Sequence, residues 1–205
     1  MSESISPDPD PPTGLAGRLR AHAGQRVIVG LTGGIACYKI AHVVSALAQA
    51  GVETTVAMTE SATRFVAPLT FQALSGRPVF TSAWEHVEAH DPQHIRLARA
   101  ADVMLVAPCT MDALARLAHG RADDIVSLLV AAIDRGRQTV LVAPSMNEVM
   151  YHQPATQRNL RQLAEDGFEI VAPASGWQAC RTEGVGRLPE PPVLLAALDA
   201  ALAAR

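Results

Sequence analysis

No uncharged apolar run in the chain approaches the roughly 20 residues of a membrane span, although 49% of its 205 residues are hydrophobic. The start, Met1 to Pro12, has neither a basic segment nor an apolar one, so it does not read as a signal peptide. Clustered positive charge is missing too. The net charge is −3 and the arginines are scattered, which argues against a nucleic-acid surface. Cysteine is scarce: Cys37, Cys109 and Cys180 are odd in number and share no CxxC spacing. Neither a disulfide framework nor a metal site is expected, and reduced thiols in the cytoplasm are the simplest account. The GxGxxG fingerprint of a dinucleotide site is also absent.

What is present is alternation. Apolar runs at Val27-Val29, Thr54-Met58, Val103-Ala107, Thr139-Ala143 and Glu169-Ala172 read as buried strands. Helical patterns lie between them at Ile35 to Ala50, Ala62 to Leu74, His94 to Ala101, Met111 to Ile133 (with a break near Gly120) and Pro154 to Glu165, and an Ala/Leu-rich helix closes the chain. This order predicts a single α/β domain with a doubly wound parallel sheet, a three-layer Rossmann-like or flavodoxin-like fold. Three runs end in Val-Ala-Pro (at Pro108, Pro144 and Pro173), read as parallel strands converging on one sheet edge. Residues 1–24 are expected to form a disordered or loosely ordered leader, with a short helix from Gly14 to Ala23, and 25–205 the folded domain.

Ligands of open α/β sheets bind at the carboxyl ends of strands, so the turns carry the candidates. The first strand runs into Thr32-Gly33-Gly34-Ile35-Ala36 and a helix, an anion-binding arrangement or a plain glycine turn. The second ends Ala57-Met58-Thr59-Glu60-Ser61, where Thr59 and Ser61 suit a phosphate better than a ribose diol, or simply cap a helix. This favours a mononucleotide over a dinucleotide. Thr110 follows the third long strand in the same way. Ser145, Met146 and Asn147 follow the fourth, and Asn147 offers an uncharged amide for a carboxylate or begins a turn. His94, at a helix start, is an acid/base candidate or a surface cap. Cys37 and Cys109 read as inert small hydrophobes. Cys180 lies in the glycine-rich stretch Ser175 to Pro191, read as a mobile loop over a site, with Arg181 and Arg187 placed to favour its ionisation.

With His94, Asn147 and Cys180 on the page, the chain resembles the flavin-dependent cysteine decarboxylases, and among them the phosphopantothenoylcysteine decarboxylases. The resemblance runs from about Arg26 to Pro191. It rests on TGGIACYK, HIRLARAADVMLVAP, LAHGRADDI, PSMNEVMY and ACRTEGVGRLPEP. It implies an FMN-dependent enzyme that decarboxylates 4′-phosphopantothenoylcysteine to 4′-phosphopantetheine in coenzyme A biosynthesis. FMN contacts are implied at Gly33, Gly34, Ile35, Thr59, Ser61, Thr110, Met111, Asp112, Ala113 and Ser145. A histidine base is implied at His94, a carboxylate-binding asparagine at Asn147 and a proton donor at Cys180, with Ala179 and Arg181 beside the substrate. A homotrimer or dodecamer with sites between subunits is also implied. The sequence departs from the family in three places. Met111-Asp112-Ala113 replaces Ala-Asn-Thr, which puts a negative charge where the family has an amide; Arg181 replaces a glycine; and Tyr151 replaces a tryptophan. The competing readings are a lantibiotic-type peptidyl-cysteine decarboxylase, a non-catalytic FMN-binding regulatory protein and an NAD(P)-dependent dehydrogenase.

Overall fold

The computed structural model describes residues 14–84 and 92–204. The β-branched and apolar runs form four long strands, β1 (Arg26–Leu31), β2 (Glu53–Met58), β4 (Val103–Cys109) and β5 (Thr139–Pro144), with two-residue strands β3 (Val79–Phe80) and β6 (Glu169–Ile170) at the edges. All six pair in parallel, in the order β3-β2-β1-β4-β5-β6. The expected doubly wound sheet is therefore present, in the Rossmann strand order.

Side chains alternate along the strands and both faces are covered. Val27, Val29, Leu31, Leu105 and Leu141 share one core with α2 (Cys37–Gln49), α4 (Pro68–Ser75) and α10 (Pro191–Ala203). Ile28, Met104, Val106, Val140 and Val142 share the other with α5 (Gln93–Ala100), α6 (Met111–Ala118), α7 (Ile125–Ala132) and α9 (Pro154–Glu165). The predicted break near Gly120 occurs, and Asp124 restarts the chain as α7 through a reciprocal capping box with Ser127.

Four local expectations change. Residues 1–13 of the expected leader lie outside the described residues, but α1 (Leu15–Arg20) docks on α10, burying Leu19 to 2% exposure. Arg18 and His22 both bond Asp199, at 2.8 and 3.0 Å, so the packed unit takes in residues assigned to the leader. The helix expected from Ala62 to Leu74 splits into α3 (Glu60–Thr63) and α4, because Pro68 cannot continue a helical ladder and starts a new one. A five-residue helix, α8 (Glu148–His152), follows β5 unforeseen. The stretch read as an aperiodic loop contains an antiparallel hairpin, β7 (Ala174–Trp177) and β8 (Glu183–Arg187).

Parallel pairing brings the turns after β1, β4 and β5 to one edge of the sheet, and strand order reverses between β1 and β4. α5 feeds the amino end of β4, so its first turn also lies toward that carboxyl edge. Among the described residues no helix is long and apolar enough to cross a membrane.

Candidate active site

A cavity of about 700 Å³ opens at this edge, walled by the turns after β1, β4 and β5 and bounded by the β7–β8 hairpin. Its floor is the glycine turn. Gly33 passes so close to Ser61 that a Cβ there would overlap the serine side chain and press on its backbone. No side chain caps α2, and the Gly33–Ala36 turn that leads into it lines the cavity, a strand-turn-helix setting suited to an anion.

Thr32, only 2% exposed, joins the first two walls. Its Oγ1 donates to the Pro108 carbonyl at 2.7 Å and accepts from the Thr110 amide at 3.0 Å. Thr110 in turn caps α6, its Oγ1 accepting from the Ala113 amide at 3.2 Å. The third wall begins where the Ser145 amide donates to the Cys109 carbonyl at 2.9 Å. Asn147 then caps α8, its Oδ1 accepting from the Met150 amide at 2.8 Å. That bond fixes the amide orientation and leaves Nδ2, a pure donor, as the polar end for an anionic ligand group.

The hairpin is tied to this wall. The Met146 amide donates to the Gly186 carbonyl at 2.9 Å. Gly186, at φ 120°, lies so close that a Cβ would run into the Met146 carbonyl oxygen. Gln178, 7% exposed, accepts from the Glu148 amide at 3.3 Å and donates through Nε2 to the Val185 carbonyl at 2.9 Å. Cys180 is the exposed cysteine of the three. Burial pushes the Cys37 and Cys109 thiols up from their ordinary range, in keeping with inert packing roles.

Most of the residues singled out by sequence line this one cavity: Gly33, Gly34, Ile35, Ser61, Thr110, Met111, Asp112, Ser145, Asn147, Ala179 and Cys180. Four do not. Thr59 caps α3, its Oγ1 accepting from the Ala62 amide at 3.2 Å. Ala113 is 8% exposed and packs in the core beneath α6. Arg181 lies in the hairpin turn at φ 66°, a left-handed conformation that favours glycine. His94, half-buried in the first turn of α5, lies outside the lining. The charge expected from Asp112 is not presented bare. Its carboxylate accepts from Arg116 Nε at 2.8 Å, an i,i+4 pair visible in the sequence.

Sequence reasoning missed a buried cation. Lys39 is 7% exposed and lines the cavity, donating from Nζ to Glu190 Oε1 at 2.9 Å and to the Leu188 carbonyl at 3.3 Å. Arg187 also pairs with Glu190 Oε1. Burial, reinforced by the neighbouring Arg187, lowers the Lys39 ammonium from its ordinary range. The partner lies 151 positions along the chain, so no local pattern announces the pair.

A family model described as Flavoprotein matches residues 17–203. The chain belongs to that family. It is 44% identical over 178 residues to the Coenzyme A biosynthesis bifunctional protein CoaBC of Vibrio vulnificus, an alignment covering 87% of this chain and 44% of that protein. Against the CoaBC of Escherichia coli it is 43% identical over 169 residues, covering 82% of this chain and 41% of the other. The chain thus spans less than half the length of these relatives. Among solved structures, the FMN-dependent cysteine decarboxylase SpaF is 31% identical with a TM-score of 0.75, covering 89% of this chain and 97% of that one. A PPC decarboxylase mutant complexed with pantothenoylaminoethenethiol is 26% identical with a TM-score of 0.76, covering 86% and 97%.

Proposed function

We propose that the chain is an FMN-dependent phosphopantothenoylcysteine decarboxylase, forming 4′-phosphopantetheine in the cytoplasmic synthesis of coenzyme A. The observation that carries this reading is one cavity with an uncapped glycine turn at its floor, the Asn147 amide on one wall and the Cys180 thiol on another. The relatives named for coenzyme A biosynthesis and for cysteine decarboxylation support it.

The residues fit FMN. A phosphate suits the amides from Gly33 to Ile35 with the Ser61 hydroxyl beside them, and Thr110 and Ser145 line the adjoining space. When bound, FMN supplies a two-electron oxidation of the carbon that bears the substrate thiol, and returns those electrons at the end. Oxidation of that carbon matters because a cysteine carboxylate has no adjacent carbonyl to accept the electrons left by carbon dioxide. Asn147 Nδ2 donates to the carboxylate and fixes its orientation. His94 manages the substrate thiol proton. Cys180 gives a proton to the carbon that has lost carbon dioxide.

His94 lies off the cavity of its own protomer, while the apolar side chains of Ile35 (57% exposed), Tyr38 (56%) and Met150 (38%) stand open beside it. An apolar rim of this kind suits contact with another subunit. The proposal therefore includes a homotrimer, free or within a dodecamer, in which His94 of one copy serves the cavity of the next.

The test is incubation of the flavin-loaded protein with phosphopantothenoylcysteine and mass analysis of the products. Carbon dioxide and the saturated thiol are expected, and Cys180→Ser should stop at the unsaturated enethiol. Absence of decarboxylation by the unaltered protein overturns the reading. Release of the enethiol alone by that protein favours the lantibiotic-type reaction instead.

A further inference from the structure

Two side chains around Cys180 have no role in the reaction as described so far. The thiol lies 3.0 Å from Thr182 Oγ1 and 3.5 Å from Gln178 Oε1. The turn that holds them is closed by the backbone, with the Gln178 amide donating to the Thr182 carbonyl at 2.8 Å and the Arg181 amide to the Gln178 carbonyl at 2.9 Å. Gln178 itself is buried and held from both sides, by the Val185 carbonyl on β8 and the Glu148 amide on α8.

The donor capacities of the two groups differ. Gln178 Oε1 can only accept, so it favours a thiol that still carries its hydrogen. The Thr182 hydroxyl can donate, so it can satisfy the sulfur after that hydrogen has gone. Because Gln178 also accepts from the first amide of α8, it ties the thiol to the helix that Asn147 caps. The proton donor and the proposed carboxylate clamp are thus linked through one glutamine side chain.

We propose that Thr182 and Gln178 are positioning residues for Cys180: Gln178 holds the protonated thiol in place, and the Thr182 hydroxyl stabilises the thiolate left by proton transfer. In that step the S–H bond of Cys180 breaks and its electron pair stays on sulfur. The proton forms a C–H bond at the carbon that lost carbon dioxide, as the enethiolate electrons shift to restore a C=S bond. The two electrons and the hydrogen that then reduce this thioaldehyde come from the reduced flavin. The catalytic half of this inference rests on the function proposed above.

The experiment compares Thr182→Val, which keeps the branched shape and loses the hydroxyl, with Thr182→Ser, which keeps the hydroxyl. The first measurement needs no substrate. Iodoacetamide alkylation of the holoprotein at fixed, mildly alkaline pH reads Cys180, because Cys37 and Cys109 are fully buried. One hydrogen bond to a charged group is worth roughly tenfold in thiolate population, so Thr182→Val should alkylate about tenfold more slowly and Thr182→Ser should recover most of the rate. The second measurement is product partition with phosphopantothenoylcysteine. Thr182→Val should keep releasing carbon dioxide while accumulating the unsaturated enethiol, and Thr182→Ser should return to the saturated product. Alkylation unchanged in Thr182→Val, or slowed equally in both variants, overturns the role of the hydroxyl in an otherwise active enzyme. Alkylation that responds to the hydroxyl, in a protein that decarboxylates nothing, overturns the functional reading and with it the part in proton delivery.

Discussion

Arg181 is the one non-glycine residue, among those described, that adopts a positive φ, at 66°. In that conformation the Cβ crowds a carbonyl oxygen, at a cost of about 1–2 kcal/mol. Arg181→Gly removes the crowding, but it also loosens the unfolded chain, which returns about 0.5–1 kcal/mol of the gain. The net stabilisation should be about 0.5–1 kcal/mol and should be confined to the hairpin. The hairpin is a small antiparallel pair held to the rest of the domain through Met146, Glu148 and α8, so it should open locally below the threshold for global unfolding. Amide hydrogen exchange across residues 174–187 is therefore the assay. Exchange there should slow roughly two- to fivefold in the glycine variant, the factor that this free energy implies, with exchange in the central strands unchanged. Arg181→Ala supplies the control, because it removes the charge and keeps the Cβ, and it should exchange like the parent. A glycine variant no slower than the parent refutes the strain argument, and so does an alanine variant slowed as much as the glycine one.

Gly33→Ala places a methyl group against Ser61 and should cost about 1–3 kcal/mol by overpacking; flavin absorbance of the purified protein should fall, and a fully yellow, fully stable variant counts against the cofactor floor. Asn147→Asp keeps an oxygen to cap α8 but loses the Nδ2 donor and sets a charge against the substrate carboxylate, so thermal stability should hold while decarboxylation falls by roughly a hundredfold or more. Mixing that variant with inactive His94→Asn under conditions that exchange subunits should restore a fraction of the activity, and no recovery argues against sites shared between copies. Asp199 feels opposing influences: desolvation raises its carboxyl, and hydrogen bonds from Arg18 and His22 outweigh that and lower it overall. A lowered folded-state value means stability present above the ordinary carboxylate range and lost as pH falls through the folded one. The melting-temperature gap between parent and Asp199→Asn should therefore be largest above about pH 4 and shrink below it, and a gap independent of pH contradicts the assignment.

How far the sequence carried depended on distance along the chain. The four long strands were legible because Val, Ile and Leu run through both faces of a buried parallel sheet, and the site turns were legible because each lies directly after such a run. β3 and β6 are two residues each, too short to establish a period. The hairpin was hidden because Gly176, Gly184 and Gly186 interrupt its alternation and most of its residues remain partly open to solvent. Lys39 with Glu190, and Asp199 with Arg18 and His22, join the two ends of the chain, and no local pattern encodes such pairs. Asp112 with Arg116 is the opposite case, since the i,i+4 spacing was there to be read.

The strand order is that of dinucleotide-binding sheets, yet the cavity does not extend along β2 as a dinucleotide site would. The physical reason lies at the end of that strand. Thr59 turns its hydroxyl inward to cap α3, and the short helix carries Ser61 directly beneath Gly33. Among the described residues, Ser61 is the one from this side that lines the cavity. On the other side nothing similar intervenes: Thr32 draws the β4 turn against the β1 turn, and the β5 turn follows through Cys109 and Ser145. The open volume therefore runs from the glycine turn across β4 and β5 to the hairpin, which is fixed by Met146 and Glu148 on that same wall. A ligand anchored at the Gly33–Ile35 turn would thus extend toward Asn147 and Cys180 rather than toward β2. The close packing of Ser61 under Gly33 bounds the cavity on the β2 side, and its open volume lies over β4 and β5.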